Sequence, residues 1–523
     1  MTAWFAVTVA RAAAKRWPHP DTGGGLSGCV ASGDLGGRYT WRVESYAAVV
    51  TTGIYCRPGC GARPRSDHVV RFPLAAAAEA AGYRACLRCR PYRSPQPGFT
   101  AGPELVCRAV QLILDGALDA NTEAALSTRL GVSSRHLRRL FTDHLGVTPD
   151  GLARSARTHF ARRLLDDTDL SITDIAFATG FGSVRQFNRS CVALFRMTPK
   201  QLRARRRLAD RLVADGGLVL RLLFHGPLDW DAMLASLADR VIPGVEHVGD
   251  GTYRRTIVVG GHPGVLELAS GGRDHLLLRL HLPRWDELLH LVGRARHIAS
   301  LDIDFDSASR HLAGDPVIAP LVARRPGLRP PGTWDPFETG VCAIADQHAG
   351  ADAGRRLAAR IVDRFGDAAP GLRQLGLTHT FPEPADLVTA PLESLGLTCA
   401  MAEAIRMFCQ AVDSGELRLD GSLPLARLVA ALTAIDGIDR QSAHHIALRL
   451  GEPDAYPAAD APVRLVRDGH PVRDVHTPDP GPWSPWRALA ATHLWWREEA
   501  AASSSPGAAL YGGWPSRSTV GTR

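Results

Sequence analysis

Apolar positions divide the chain into stretches of different period. From Leu105 to about Arg207 they recur three and four apart in short runs, broken by Gly and by Ser-Ser or Thr-Pro start signals, which predicts a series of short helices. The pattern changes at LVLRLLFHGPLDW. The segment TYRRTIVVGGHPGVLELASGGRDHLLLRLHL then alternates as strands do, with Gly pairs placed to turn hairpins, so a small α+β domain is predicted at 217–314. Helical spacing returns from RPGLRPPGTW to about Trp496 and predicts an all-helical domain at 315–498. Ahead of the first helices, a compact cysteine-bearing unit at 34–97 ends in SPQPGFTAGPE, whose prolines and glycines resist both helix and sheet. Residues 1–33 carry Gly and Pro punctuation without a sustained period and are read as an extension of unknown role. Residues 499–523 read as a low-complexity, disordered tail.

At 523 residues the chain exceeds what one hydrophobic core supports, and its 45% apolar and 22% charged fractions are those of an ordinary globular protein. The expected fold class is therefore multidomain α+β. The formal net charge of +8 becomes informative once localised: residues 129–211 hold 17 Lys and Arg against 7 Asp and Glu, so the remainder is slightly acidic. Clustered Arg on short helices is the electrostatic footprint of a DNA-binding domain, and double-stranded DNA is the expected partner. No stretch approaches the roughly 18 apolar residues of a membrane span, and the start lacks a basic segment before its apolar one. A cytoplasmic, nucleoid-associated location without membrane attachment is expected.

Four of the ten cysteines fall between positions 56 and 89, as Cys56-x3-Cys60 and Cys86-x2-Cys89. Two close pairs can close a tetrahedron around one soft cation, and Zn²⁺ is the natural occupant. On spacing alone, an inert staple for a domain too small to fold unaided is one reading. The surrounding TTGIYCRPGCGARPRSDHVVRF and AAAEAAGYRACLRCRP, however, resemble the N-terminal domain of the Ada methyl phosphotriester repair proteins over about 60 residues. That resemblance implies that Cys56 irreversibly accepts a methyl group from a DNA backbone phosphate, while Cys60, Cys86 and Cys89 hold the metal with it. Arg63, Arg65 and Arg84 flank the cysteines as candidate phosphate contacts.

In LSTRLGVSSRHLRRLFTDHLGVTP, apolar residues frame a Gly turn, and Ser133-Ser134 start a second helix bearing Arg135, Arg138 and Arg139. A second copy, ITDIAFATGFGSVRQFNRSCVALFRMTP, offers Arg185, Gln186 and Asn188 to a major groove. The pair resembles the AraC-type double helix-turn-helix domain, placed at 101–208. It implies operator DNA as a second nucleic-acid partner and RNA polymerase as the expected protein partner of a monomeric regulator.

Residues 217–498 resemble the AlkA family of 3-methyladenine DNA glycosylases through FHGPLDWDAMLASLADRVIPGVE, RPGLRPPGTWDPFE and WSPWRALAATHLWW. The resemblance implies a helix-hairpin-helix at LTAIDGIDRQSAHHIALRLG, with Gly437 against the DNA backbone, and a catalytic carboxylate at Asp460. It also implies a base pocket built from the positions of Gln441, His445 and Trp495. The hairpin departs from the family's L-P-G-I-G: Asp436 replaces its proline and Asp439 its second glycine, while Gln441 and His445 stand where aromatic residues are usual. ADQHAGADAGRRL likewise departs from G-Q-Q-V-S. An active glycosylase and a DNA-binding scaffold with altered or lost catalysis both remain open. No P-C-H-R motif of O6-alkylguanine methyltransferases occurs in the chain.

Overall fold

The computed structural model describes residues 45–62, 64–93, 103–119, 121–207, 212, 217–285, 287–457, 466–467, 470–471 and 481–503, of which 466–467, 470–471 and 497–503 are described by their backbone alone. The chain forms two compact units that divide after Arg211.

The first unit opens with a four-stranded sheet of order β3-β1-β2-β4, from β1 (Tyr46–Val49), β2 (Ile54–Cys56), β3 (Val69–Phe72) and β4 (Arg84–Ala85). β1 and β2 pair antiparallel with Ala47 opposite Cys56, and β2 and β4 pair parallel with Ile54 opposite Arg84. Between β3 and β4 lies the short helix α1 (Ala75–Ala80), whose first four alanines are buried. Small side chains there allow close packing, which a domain with so little apolar mass requires.

Seven helices follow: α2 (Glu104–Leu114), α3 (Glu123–Arg129), α4 (Ser134–Leu145), α5 (Pro149–Asp167), α6 (Ile172–Ala178), α7 (Val184–Phe195) and α8 (Pro199–Ala204). Their starts obey local chemistry. The side chains of Thr122, Ser133, Thr148, Ser171, Ser183 and Thr198 each accept a backbone N–H from the first turn of the following helix. α3–α4 and α6–α7 are the two helix-turn-helix pairs. α5 joins them and is buried on most sides, so it lacks the one-sided apolar stripe of a surface helix.

The second unit begins with an antiparallel sheet of order β5-β9-β8-β7-β6, from β5 (Leu218–Leu223), β6 (Glu246–Gly249), β7 (Thr252–Val259), β8 (His262–Ser270) and β9 (His275–His281). Leu220, Leu222, Leu266, Leu268, Leu278 and Leu280 bury one face at strand period. Helix α9 (Trp230–Ala238) crosses between β5 and β6. The helical portion packs α10 (Pro336–Ala349), α11 (Ala351–Phe365), α12 (Cys399–Asp413), α13 (Leu425–Thr433) and α14 (Arg440–Arg449) around one core, together with the start of α15 (Arg487–Ser503). At its centre the Phe337 and Phe408 rings stack with centroids 5.8 Å apart. Gly340 lies under Phe408 so closely that an added Cβ would come within 2.1 Å of the ring, so any side chain there would push the ring out of its place between α10 and α12.

The fold class is thus multidomain α+β, as the periodicities predicted. One boundary is corrected: α15 continues through Ser503, so the first five residues assigned to a disordered tail are helical, in keeping with the run of Glu and Ala there. The extension 1–33 and residues 504–523 lie outside the described residues. No helix among the described residues is long and apolar enough to cross a membrane.

Candidate functional site

Cys56 ends β2, Cys60 follows a tight turn, and Cys86 and Cys89 follow β4. The parallel β2–β4 pairing therefore brings the two cysteine pairs side by side. All four sulfurs lie within 4.8 Å of one another. Four Zn–S bonds of about 2.3 Å set tetrahedral S···S distances near ~3.8 Å, so the cluster fits zinc. The thiols themselves point the same way. Sulfur–sulfur hydrogen bonding to Cys89, burial and the neighbouring Cys86 push the Cys56 thiol far up, whereas the bond from Cys56 holds Cys89 down to about 5. Thiols this crowded cannot all ionise by themselves; a divalent cation removes the conflict. The residues form a zinc site.

Cys56 is 7% exposed and its three partners somewhat more. Around the cluster, Arg57 and Arg88 are exposed and Arg84 half-buried. Arg65 is 80% exposed and its guanidinium leans on Asp67 at 3.3 Å, while Arg63 lies outside the described residues. Arg57 and Arg88 are legible in CRPGC and CLRC, nearer in sequence to the cysteines than Arg63, Arg65 and Arg84.

Tyr55, next to Cys56, is fully buried, and its hydroxyl donates to Glu79 Oε1 at 2.5 Å. Burial and the Glu79 carboxylate push that hydroxyl well above its ordinary range, so it remains a donor. Ser155 and His159 of α5 meet the same carboxylate at 2.6 Å, and this cluster carried no sequence signal because its members come from β2, α1 and α5.

On the first helix-turn-helix, Arg135, Arg138 and Arg139 are exposed on α4, and Arg138 Nε lies 2.6 Å from Glu123 Oε1. On the second, Arg185 and Gln186 are exposed and Asn188 half-buried on α7; Arg189, which the sequence reading passed over, is exposed beside them. Gln186 Oε1 already accepts from the Gly182 N–H at 3.1 Å, leaving its amide NH₂ as the free reading group.

In the second unit, α13 and α14 flank the hairpin, with Ile435 and Ile438 buried and Asp436, Gly437 and Asp439 exposed. Asp439 caps α14, its Oδ1 accepting from the Ser442 N–H at 2.7 Å. The adjacent α10 reaches this hairpin. Gln347 Nε2 donates to the Gly437 carbonyl at 2.9 Å while its Oε1 accepts from the Asp439 N–H at 3.1 Å, and His348 Nε2 lies 2.9 Å from the same carbonyl. Gln441 is half-buried on α14. His445 instead lines a polar cavity with Arg240, Glu338, Asp346 and Arg449, where burial holds its imidazole well below its ordinary value. Trp495 packs against the helical core. Asp460 lies outside the described residues.

These features define a chain that joins an Ada-type zinc centre and paired helix-turn-helices to a glycosylase-like unit. Three family models match it: the metal binding domain of Ada over residues 41–92, a helix-turn-helix domain over 126–205 and the AlkA N-terminal domain over 219–335. The chain is 37% identical over 456 residues to a Mycobacterium tuberculosis protein named "Probable bifunctional transcriptional activator/DNA repair enzyme AlkA", covering 86% of this chain and 92% of the relative. It belongs to that family of bifunctional transcriptional activator/DNA repair enzymes. Its C-terminal part is 29% identical over 299 residues to the Escherichia coli DNA-3-methyladenine glycosylase 2, covering 53% of this chain and 96% of the relative. A further 29% identity over 170 residues links it to the Bacillus subtilis bifunctional transcriptional activator/DNA repair enzyme AdaA, covering 32% of this chain and 77% of the relative.

Proposed function

We propose that Cys56 accepts the methyl group of a DNA methyl phosphotriester and that the methylated protein activates transcription of alkylation-repair genes. The carrying observation is the convergence of Cys56, Cys60, Cys86 and Cys89 on one point, in a chain whose next element is a paired helix-turn-helix. Bound zinc keeps these thiols ionised at neutral pH, where the thiolate is the competent nucleophile. The Cys56 thiolate attacks the methyl carbon: an S–C bond forms, the O–C bond breaks, and its electron pair stays on the phosphate oxygen, restoring an ordinary phosphodiester. The product is a thioether, so each molecule acts once. Four thiolates with Zn²⁺ carry a formal 2− and repel phosphates; the thioether leaves 1−, which strengthens DNA binding. Exposed Arg57, Arg65 and Arg88, with Arg84, supply phosphate contacts, and Arg135, Arg138, Arg139, Arg185, Gln186 and Asn188 hold the operator. The working protein is a cytoplasmic, nucleoid-associated monomer that engages RNA polymerase, with functional domains at 34–97, 101–208, 217–314 and 315–498.

The C-terminal half excises alkylated purines, with Asp460 stabilising the oxocarbenium-like charge as the glycosidic bond breaks. A second reading, a DNA-binding scaffold without excision, is favoured by the hairpin itself, where Gln347 already occupies the Asp439 N–H and Asp439 adds a negative charge at the phosphate-facing turn. Both activities are scored together by incubating methylated duplex DNA with wild type, Asp460→Asn and Cys56→Ala. Release of free base by wild type and Cys56→Ala but not by Asp460→Asn supports excision; no release with continued protein methylation supports the scaffold. Methylation of Cys56→Ala to the wild-type extent would refute the acceptor assignment.

A further inference from the structure

α5 carries a polar stripe that an interior helix would not be expected to hold. Ser155, His159, Arg162 and Asp166 repeat at four, three and four residues, one helical face, and all are at least 93% buried. Each meets a group held by the zinc-binding domain. Glu79 of α1, its side chain 7% exposed, accepts from the Tyr55 hydroxyl at 2.5 Å and the Ser155 hydroxyl at 2.6 Å, and His159 Nε2 lies 2.6 Å from Oε1 of the same carboxylate. Farther along, the Tyr92 hydroxyl donates to Asp166 at 3.3 Å, the Arg162 guanidinium sits 5.2 Å from the Tyr92 ring centre, and Arg93 pairs with Asp167. The Tyr92 ring also packs edge-on against Phe195 of α7 at 5.9 Å.

Tyr55 immediately precedes Cys56, and Tyr92 follows Cys89 by three residues. Both metal-binding pairs are therefore tied by a tyrosine into the helix that joins the two DNA-reading elements, and one of those tyrosines touches the second reading helix. Apolar residues would fill such an interface at lower desolvation cost; polar groups that meet specific partners across it instead favour a single geometry.

We propose that the Tyr55–Glu79–His159–Ser155 and Tyr92–Asp166 network positions the zinc centre at a fixed distance from the helix-turn-helices. DNA gripped by α4 and α7 then presents its backbone phosphates to Cys56 as an intramolecular reactant. The inference rests on the methyl-acceptor reading above. Glu79, His159 and Ser155 are positioning residues that act through the strand carrying Cys56, and Asp166 is one that acts through Tyr92 beyond Cys89; what they raise is the effective concentration of phosphotriester at the sulfur.

The test uses the full-length zinc-loaded protein and two methyl donors, a methylated dinucleotide phosphotriester too short to reach the reading helices and a methylated duplex of about three helical turns. Single-turnover transfer is measured for wild type, His159→Gln and the milder Ser155→Ala, with zinc content recorded for each. Wild type should use the duplex at least about tenfold faster than the dinucleotide at equal low concentration. His159→Gln should lose most of that advantage and Ser155→Ala part of it, with the dinucleotide rate and zinc content unchanged. Arg185→Ala should slow duplex transfer in wild type but add little to His159→Gln, since two cuts in one linkage are not additive. An undiminished duplex advantage in both variants would overturn the positioning role, as would equal loss on both donors, which marks a merely structural contact. Absence of transfer from either donor to wild type would instead refute the methyl-acceptor function, and the inference with it.

Discussion

Tyr55 and Cys56 divide two tasks between neighbouring positions of one strand, where alternate side chains face opposite ways. One anchors the strand through Glu79 and the other enters the sulfur cluster. The cysteine spacing was legible in sequence because metal ligands must come in close pairs. The anchor was not, since Glu79 and His159 are unremarkable residues until the fold brings them together. Replacing Cys60, Cys86 or Cys89 by Ser should abolish stoichiometric zinc binding and loosen residues 45–93, read as metal content and as amide exchange, because a sheet with so small an apolar core depends on its metal. A second residue-scale prediction concerns Asp346, whose carboxyl burial pushes up to about 7. Between roughly pH 4 and 7 the folded form binds a proton that the unfolded chain has released, so stability falls as pH rises through that window. Asp346→Asn should flatten the slope and exceed wild type by about 1–3 kcal/mol near pH 8, measured by urea unfolding across pH.

Among the elements, the helix-turn-helices were readable because each start is written locally, in Ser133 and Ser183 as caps and Gly131 and Gly180 as turns with positive φ. The hairpin shows the limit of that method. From sequence, Asp439 is an intrusive charge where a glycine belongs; in the fold it is also the N-cap of α14, and Gln347, known beforehand only as part of a degraded motif, braces the turn from α10. The replacement therefore adds a negative charge to the turn without undoing the hairpin. Asp439→Ala should cost about 1 kcal/mol of stability through loss of the cap while tightening binding to undamaged duplex, the two being separated by thermal unfolding and DNA titration. Gly437, at φ +91° with only 2.7 Å between an added Cβ and Ala404, should tolerate no side chain: Gly437→Ala should destabilise the second unit by about 1–3 kcal/mol.

At the scale of the molecule, charge is concentrated where nucleic acid is read, and the two units rest on separate cores. The sequence disclosed this division through its change of period near residue 217. It could not disclose that the zinc-binding residues and the paired helix-turn-helices belong to one compact unit, because that depends on buried polar contacts between distant segments. Removing the α4 arginines together, as Arg135→Ala, Arg138→Ala and Arg139→Ala, should lower the slope of log affinity against log salt by about 2–3, measured on duplex DNA by fluorescence titration. Methyl transfer to Cys56 is read more directly than affinity. The full-length protein is incubated with duplex DNA methylated on its phosphates, digested, and the cysteine peptides are weighed by mass spectrometry. The account predicts one methyl group, on Cys56 alone; methylation of Cys60, Cys86 or Cys89 in its place, or of no cysteine while the methylated phosphates persist, would contradict it.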